Sequence, residues 1–308
     1  MGNQRVRRAR WACLGMLLWM PAVASALEVV ATIPPWHSLT AAVMAGVGTP
    51  ALLIRGSGSP HTYTLRPSDA RLLERADLVV WGGEGLETLL TRPLASLARK
   101  GDKLALLGVD GLTRLPVRAG GAWEEEGDDH GHGHDHAATD PHLWLDPVNA
   151  RLMALAIAER LARLDPGNAA RYRANAAGLS DRLEALDREL ASEMAALRER
   201  PYIVFHDAYH YFEHRYGLHA VGAVVVHPDR PPGARRVGEI VRRMRESKAV
   251  CLFSEPQFPS RLIATVTEHQ PVRVGRLDPL GAGLPEGPEH YFQTLRNLAR
   301  SFRECLAP

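Results

Sequence analysis

Apolar and polar positions follow two rhythms along this chain. Short runs rich in Val, Ile and Leu, bounded by Gly, Pro or charge, read as strands at 28–33 (EVVATI), 51–54 (ALLI), 77–81 (DLVVW) and 103–107 (KLALL). Between them, 36–47, 67–76 and 84–99 space their apolar residues three and four apart, the pattern of a helix with one buried face. Residues 148–198 hold no strand candidate; they read as a helix over about 147–163 and a longer one over about 167–198, parted by Asp165-Pro166-Gly167. After Pro201 the alternation resumes, with strands at 202–205, 220–226, 249–253 and 272–277 and helices near 208–216, 233–247, 258–268 and 287–305. Strands that alternate with helices imply parallel sheets covered on both faces, because each parallel crossover needs a helix-length connection. The pattern therefore predicts an α/β protein of two similar lobes, each a mostly parallel sheet flanked by helices, joined by one long helix. Their bounds are 27–165 for the N-terminal lobe, 166–199 for the linking helix and 200–308 for the C-terminal lobe. At 1.5 Å per residue the long helix would run ~48 Å.

Composition changes the picture at the ends. Residues 1–26 combine four arginines, an apolar run and Ala24-Ser25-Ala26, the layout of a cleaved secretory signal. The run is too short to cross a bilayer with comfort, and no later segment approaches ~20 uninterrupted apolar residues, so no membrane insertion is expected after cleavage. Removing the signal leaves 33 of the 37 basic residues against 35 acidic ones, and the formal charge of +2 becomes −2. Nothing here argues for a nucleic-acid partner. Two cysteines remain, Cys251 and Cys305. In an oxidising compartment the pair suggests a disulfide closing a 54-residue loop, worth about 4 kcal/mol in the chain-entropy picture; the alternative is two separate buried thiols.

The candidate chemistry is concentrated around residue 140. The acidic stretch 124–138 alternates His130, His132, His134 and His136 with Gly and Asp. It has too little apolar surface to offset its ordering entropy and reads as a solvated loop whose imidazoles stay available to metal. It runs into Asp140-Pro141-His142-Leu143-Trp144-Leu145-Asp146-Pro147, where two prolines restrict the backbone and apolar anchors flank His142. The pair reads as a loose cation collector beside an ordered ligand. Open α/β sheets bind ligands beyond the carboxyl ends of their strands, and there this chain places His61, His206 and Asp278. A lone strand-end histidine is usually structural; the coincidence of three imidazoles and one carboxylate, two from each lobe, points to metal. Such a set suits tetrahedral Zn²⁺, whereas manganese favours more oxygen ligands. Glu255, also after a strand, is read as an acceptor for a ligand N–H. His210 and His214 are read as surface residues. Trp81-Gly82-Gly83-Glu84-Gly85 lacks the Lys-Ser/Thr of a phosphate loop.

These motifs carry a family resemblance. SPHTYTLRPSDARLLERADLVVWGG, DPHLWLDP after a His-rich loop, FHDAYHYF, PGAR, FSEPQF and LDPLG together resemble the periplasmic zinc-binding proteins of high-affinity zinc ABC importers, the ZnuA-like branch of metal-binding solute-binding proteins. The resemblance spans nearly all of the chain after residue 26. It implies a rigid two-lobed monomer with Zn²⁺ at the lobe interface and an inner-membrane ABC permease as partner. By resemblance His61, His142 and His206 are the zinc imidazoles, and Asp278 stands where the family has a carboxylate. The manganese-binding branch typically has Glu at the position of His206, so His supports zinc. Some zinc-branch members place Glu before the first ligand histidine, where this chain has Pro60; the fourth ligand is thus Asp278 or water. The competing readings are a secreted zinc hydrolase, for which Glu255 is the only nearby candidate base and no H-e-x-x-H helix is present, and a metal buffer that docks no permease.

Overall fold

The computed structural model describes residues 27–118, 138–225, 232–258, 261–268 and 270–307. The expected signal segment and the four histidines at 130–136 lie outside the described residues. In the first lobe, β1 (Val29–Ala31), β2 (Ala51–Leu52), β3 (Leu78–Trp81) and β4 (Asp102–Ala105) form a parallel sheet in the order β2-β1-β3-β4. In the second, β5 (Tyr202–His206), β6 (Ala220–Val225), β7 (Cys251–Ser254) and β8 (Arg273–Arg276) repeat it as β6-β5-β7-β8, again all parallel. The inner strands β1, β3 and β5 are buried throughout, and β7 is buried at all but its last residue, which explains their apolar runs. β8 is an edge, and its Arg273, Val274 and Arg276 are exposed.

Helices α1 (Pro34–Val43), α2 (Pro67–Arg75), α4 (Pro147–Leu164), α6 (His210–Tyr216), α7 (Ala234–Glu246), α8 (Arg261–Thr267) and α9 (His290–Leu306) fall where the spacing predicts. The expected helix over 84–99 does not form as one element. A 3₁₀ turn at Thr88–Leu90 precedes a short α3 (Thr91–Ser96), because Gly85 and Pro93 interrupt the backbone ladder. The linking helix α5 (Ala169–Met194) has 26 residues, about 39 Å rather than 48 Å, since Pro166–Asn168 and Ala195–Leu197 wind as 3₁₀ turns at its ends. Its buried stripe, Tyr172, Ala176, Leu179, Leu183, Leu186, Leu190 and Met194, keeps a three-four spacing. Along that stripe α5 packs on α1 and α4 of one lobe and on α6 and α9 of the other.

One apolar core therefore runs through both lobes, from Val29 and Trp36 through Leu183 to Phe302. A second cluster, including Phe205, Ile240, Leu252 and Val266, fills the outer face of the C-terminal sheet. Polar bonds close the seam between lobes. Trp144 Nε1–H donates to Pro279 O at 2.8 Å, and the Tyr291 hydroxyl donates to Trp144 O at 2.6 Å. Ser38 Oγ donates to Pro288 O at 3.1 Å and accepts from Tyr291 N–H at 3.0 Å. Cys251 and Cys305 are disulfide-bonded, tying β7 to α9. Among the described residues, no helix is long and apolar enough to cross a membrane.

Candidate metal centre

Each of the three histidines reaches the centre from a different kind of local structure. His61 follows Gly58-Ser59-Pro60 in the turn after β2, and Asp69, in the first turn of α2, pins that turn by accepting from Arg66 N–H and Tyr63 OH, both at 2.8 Å. His142 precedes a 3₁₀ turn, Leu143–Leu145, whose three side chains are fully buried. Asp146 then caps α4 by accepting from Val148 N–H at 2.8 Å, with Pro147 in the first turn. His206 is the last residue of β5, and Glu255 follows β7, the strand hydrogen-bonded beside it. The strand order reverses between β5 and β7, which is where the crevice of an open α/β sheet lies.

The hydrogen bonds fix which ring nitrogen faces inward. His142 Nδ1 lies 2.7 Å from Asp140 Oδ1, which also accepts from His142 main-chain N–H at 3.0 Å. His206 Nδ1 lies 2.7 Å from Glu255 Oε1. A carboxylate can only accept, so in both rings Nδ1 carries the proton and Nε2 presents its lone pair. The His142 Nε2 atom is 3.3 Å from His61 Nε2 and 3.4 Å from His206 Nε2, and the three ligand atoms all lie within 4.8 Å of one another. Nitrogens about 2.0–2.1 Å from a shared tetrahedral zinc would stand about 3.3–3.4 Å apart. The facing lone pairs of His142 and His206 repel at this range unless a cation or a proton lies between them. The cavity they border measures about 10 Å³ and is walled by Trp144, Glu255, Phe258, Pro279 and Leu280, room for a single small ion.

Charge is tuned to the same end. Burial pushes the Asp140 carboxyl up, but His142 and its hydrogen bonds outweigh this and hold it well below the usual carboxylate range. Burial lowers His206, and Glu255 more than offsets it, leaving that ring more basic than an ordinary histidine.

Two expectations are corrected. Asp278 is not brought to the histidines: its Oδ1 accepts from Gln257 Nε2 at 2.8 Å and from Leu280 and Gly281 N–H at 3.1 and 3.0 Å. It caps a turn that needs Gly281, where φ is +69° and a Cβ would sit 2.2 Å from Thr294 Oγ1. The LDPLG motif thus shapes the cavity wall through Pro279 and Leu280, with its aspartate engaged in the turn. His210 is not a surface residue: its Nδ1 lies 3.6 Å from Asp140 Oδ2, behind His142. His214 is exposed, as expected. Asp140 itself went unread in the sequence, although a carboxylate two residues before a ligand histidine can reach that ring's Nδ1.

The chain matches the family model for zinc-uptake complex component A, periplasmic, over residues 29–305. It belongs to that family. The high-affinity zinc uptake system protein ZnuA of Brucella suis biovar 1 is 43% identical to it over 313 aligned residues, with 91% of each chain covered. The ZnuA of Yersinia pestis is 35% identical and covers 99% of this chain and 98% of its own. A solved structure described as the crystal structure of ZnuA has a TM-score of 0.78 at 25% identity, covering 92% of this chain and all of that one. The family resemblance drawn from the motifs and the two-lobed parallel-sheet fold are both borne out, and the family is one of periplasmic transport components.

Proposed function

We propose that this chain captures one Zn²⁺ between its lobes, through Nε2 of His61, His142 and His206, and delivers it to an ABC permease. The observation that carries the reading is the convergence of three imidazole Nε2 atoms at the spacing of tetrahedral zinc ligands. With Asp278 committed elsewhere, solvent is the fourth ligand. The same donor set argues against manganese, which favours oxygen. It also weakens the hydrolase reading, because Glu255, the nearest candidate base, is occupied in orienting His206. From their composition, the histidines at 130, 132, 134 and 136 are proposed to gather further zinc more weakly, since the metal would have to order its own ligands.

Calorimetry tests the assignment. His61→Ala, His142→Ala and His206→Ala should each weaken zinc binding far more than deletion of 124–137. Single variants that bind like the wild type would sink it. Growth of zinc-starved cells that depends on this chain and a permease together would support delivery; rescue without any permease would favour the buffer reading.

A further inference from the structure

Arg118 belongs to the N-terminal lobe, yet its guanidinium is engaged by the C-terminal one. Its Nε–H reaches both oxygens of Asp207, at 3.1 and 3.0 Å, and Nη2 donates to the same carboxylate. Nη1 donates to Glu213 Oε2 at 2.7 Å. These side chains are largely out of solvent, 19% exposed for Arg118, 7% for Asp207 and 3% for Glu213. Asp207 directly follows the ligand His206. Glu213 accepts at its other oxygen from the Tyr202 hydroxyl at 3.1 Å, and Tyr202 begins the strand that His206 ends. One guanidinium thus holds both ends of β5.

The backbone leading to Arg118 is bound just as closely to the support of the other lobe's ligand. Leu115 N–H donates to Tyr211 OH at 2.9 Å, and Tyr211 OH donates to Asp140 O at 3.0 Å. Asp140 N–H donates to Leu115 O at 2.9 Å, and Val117 N–H to Ala138 O at 2.8 Å. Residues 115–118 therefore grip Asp140, which orients His142, and Asp207, which neighbours His206.

We propose that Arg118 is a positioning residue for metal capture: it sets the distance between His142 Nε2 and His206 Nε2 across the lobes, and through it the lifetime of the bound ion. The proposal rests on the reading of the three histidines as ligands. A planar guanidinium fixes a carboxylate in one orientation, whereas an ammonium holds it as a point charge. Arg118→Lys should therefore melt near the wild type yet release Zn²⁺ to a chelator at least tenfold faster, and the visible bands of its Co²⁺-loaded form should shift as the ligand geometry relaxes. Arg118→Met alone would strand two buried carboxylates, so the companion variant is Arg118→Met with Asp207→Asn and Glu213→Gln, which removes all three charges together. It should fold and show the same faster release and altered bands. Either variant folded, with wild-type release and wild-type bands, overturns the proposal. Unimpaired zinc binding by His142→Ala or His206→Ala would instead overturn the ligand assignment beneath it.

Discussion

A carboxylate behind an imidazole decides which nitrogen meets the metal, and two of the three histidines have one. Asp140→Asn and Glu255→Gln should each weaken zinc about 10- to 100-fold while leaving one site per chain, measured by competition with a chelating dye. Protons compete for the same nitrogens. Because Glu255 raises His206 above its ordinary value near 6.5, zinc affinity should begin to fall at a pH above 6.5 and continue falling as the solution is acidified. Glu255→Gln should bind more weakly at pH 8 and fall less steeply through that window. Away from the site, Glu87 is fully buried, accepts from Gly82 N–H at 2.6 Å, and is pushed by burial up to about 7. The folded chain keeps this proton up to about pH 7 and the unfolded chain loses it near 4.5, so stability falls as pH rises between those values, by about 3 kcal/mol for roughly 2.5 pKa units. Glu87→Gln should be the more stable protein at pH 8 and should show a flatter denaturation profile across that window. The three clustered histidines were legible because imidazoles stood at strand ends or between prolines. Asp278 misled because a turn-capping aspartate occupies the same kind of position as a ligand. Arg118 gave no signal at all, since its partner Asp207 lies 89 residues away.

The end of α7 shows how an element can be stopped by geometry its sequence does not favour. Lys248 N–H donates to Arg245 O at 3.2 Å and Ala249 N–H to Met244 O at 3.0 Å, the paired closure that usually places glycine in the left-handed position. Here that residue is Lys248, with φ of 55°. Lys248→Gly should raise stability by about 1 kcal/mol, read as a higher urea midpoint with an unchanged slope. The disulfide between β7 and α9 closes a separation of 54 residues. Its loss in Cys251→Ser should cost about 2–5 kcal/mol of stability and leave zinc stoichiometry at the main centre intact, checked by melting and metal analysis. Element type was read well wherever an apolar run was long or strongly periodic. It failed at 84–99, where apolar spacing suggested a helix while Gly85 and Pro93 opposed one.

At the scale of the whole molecule, two lobes could be read from one repeated alternation, and the family from the order of its motifs. The seam could not, because Trp144 meets Pro279 across 135 residues and no local pattern announces such a contact. That seam is continuous with the core that runs through α5 into both sheets. Scanning calorimetry should therefore show one unfolding transition rather than one per lobe. Zinc at 1,000 times its dissociation constant should shift that transition as a unit, by about 4 kcal/mol of added stability. The shared core also makes the ion felt where it touches nothing. Amide protons in the middle of α5, which supplies no ligand, should exchange with deuterated water only when the whole fold opens, so zinc should slow them by the same factor as the core strands of either sheet.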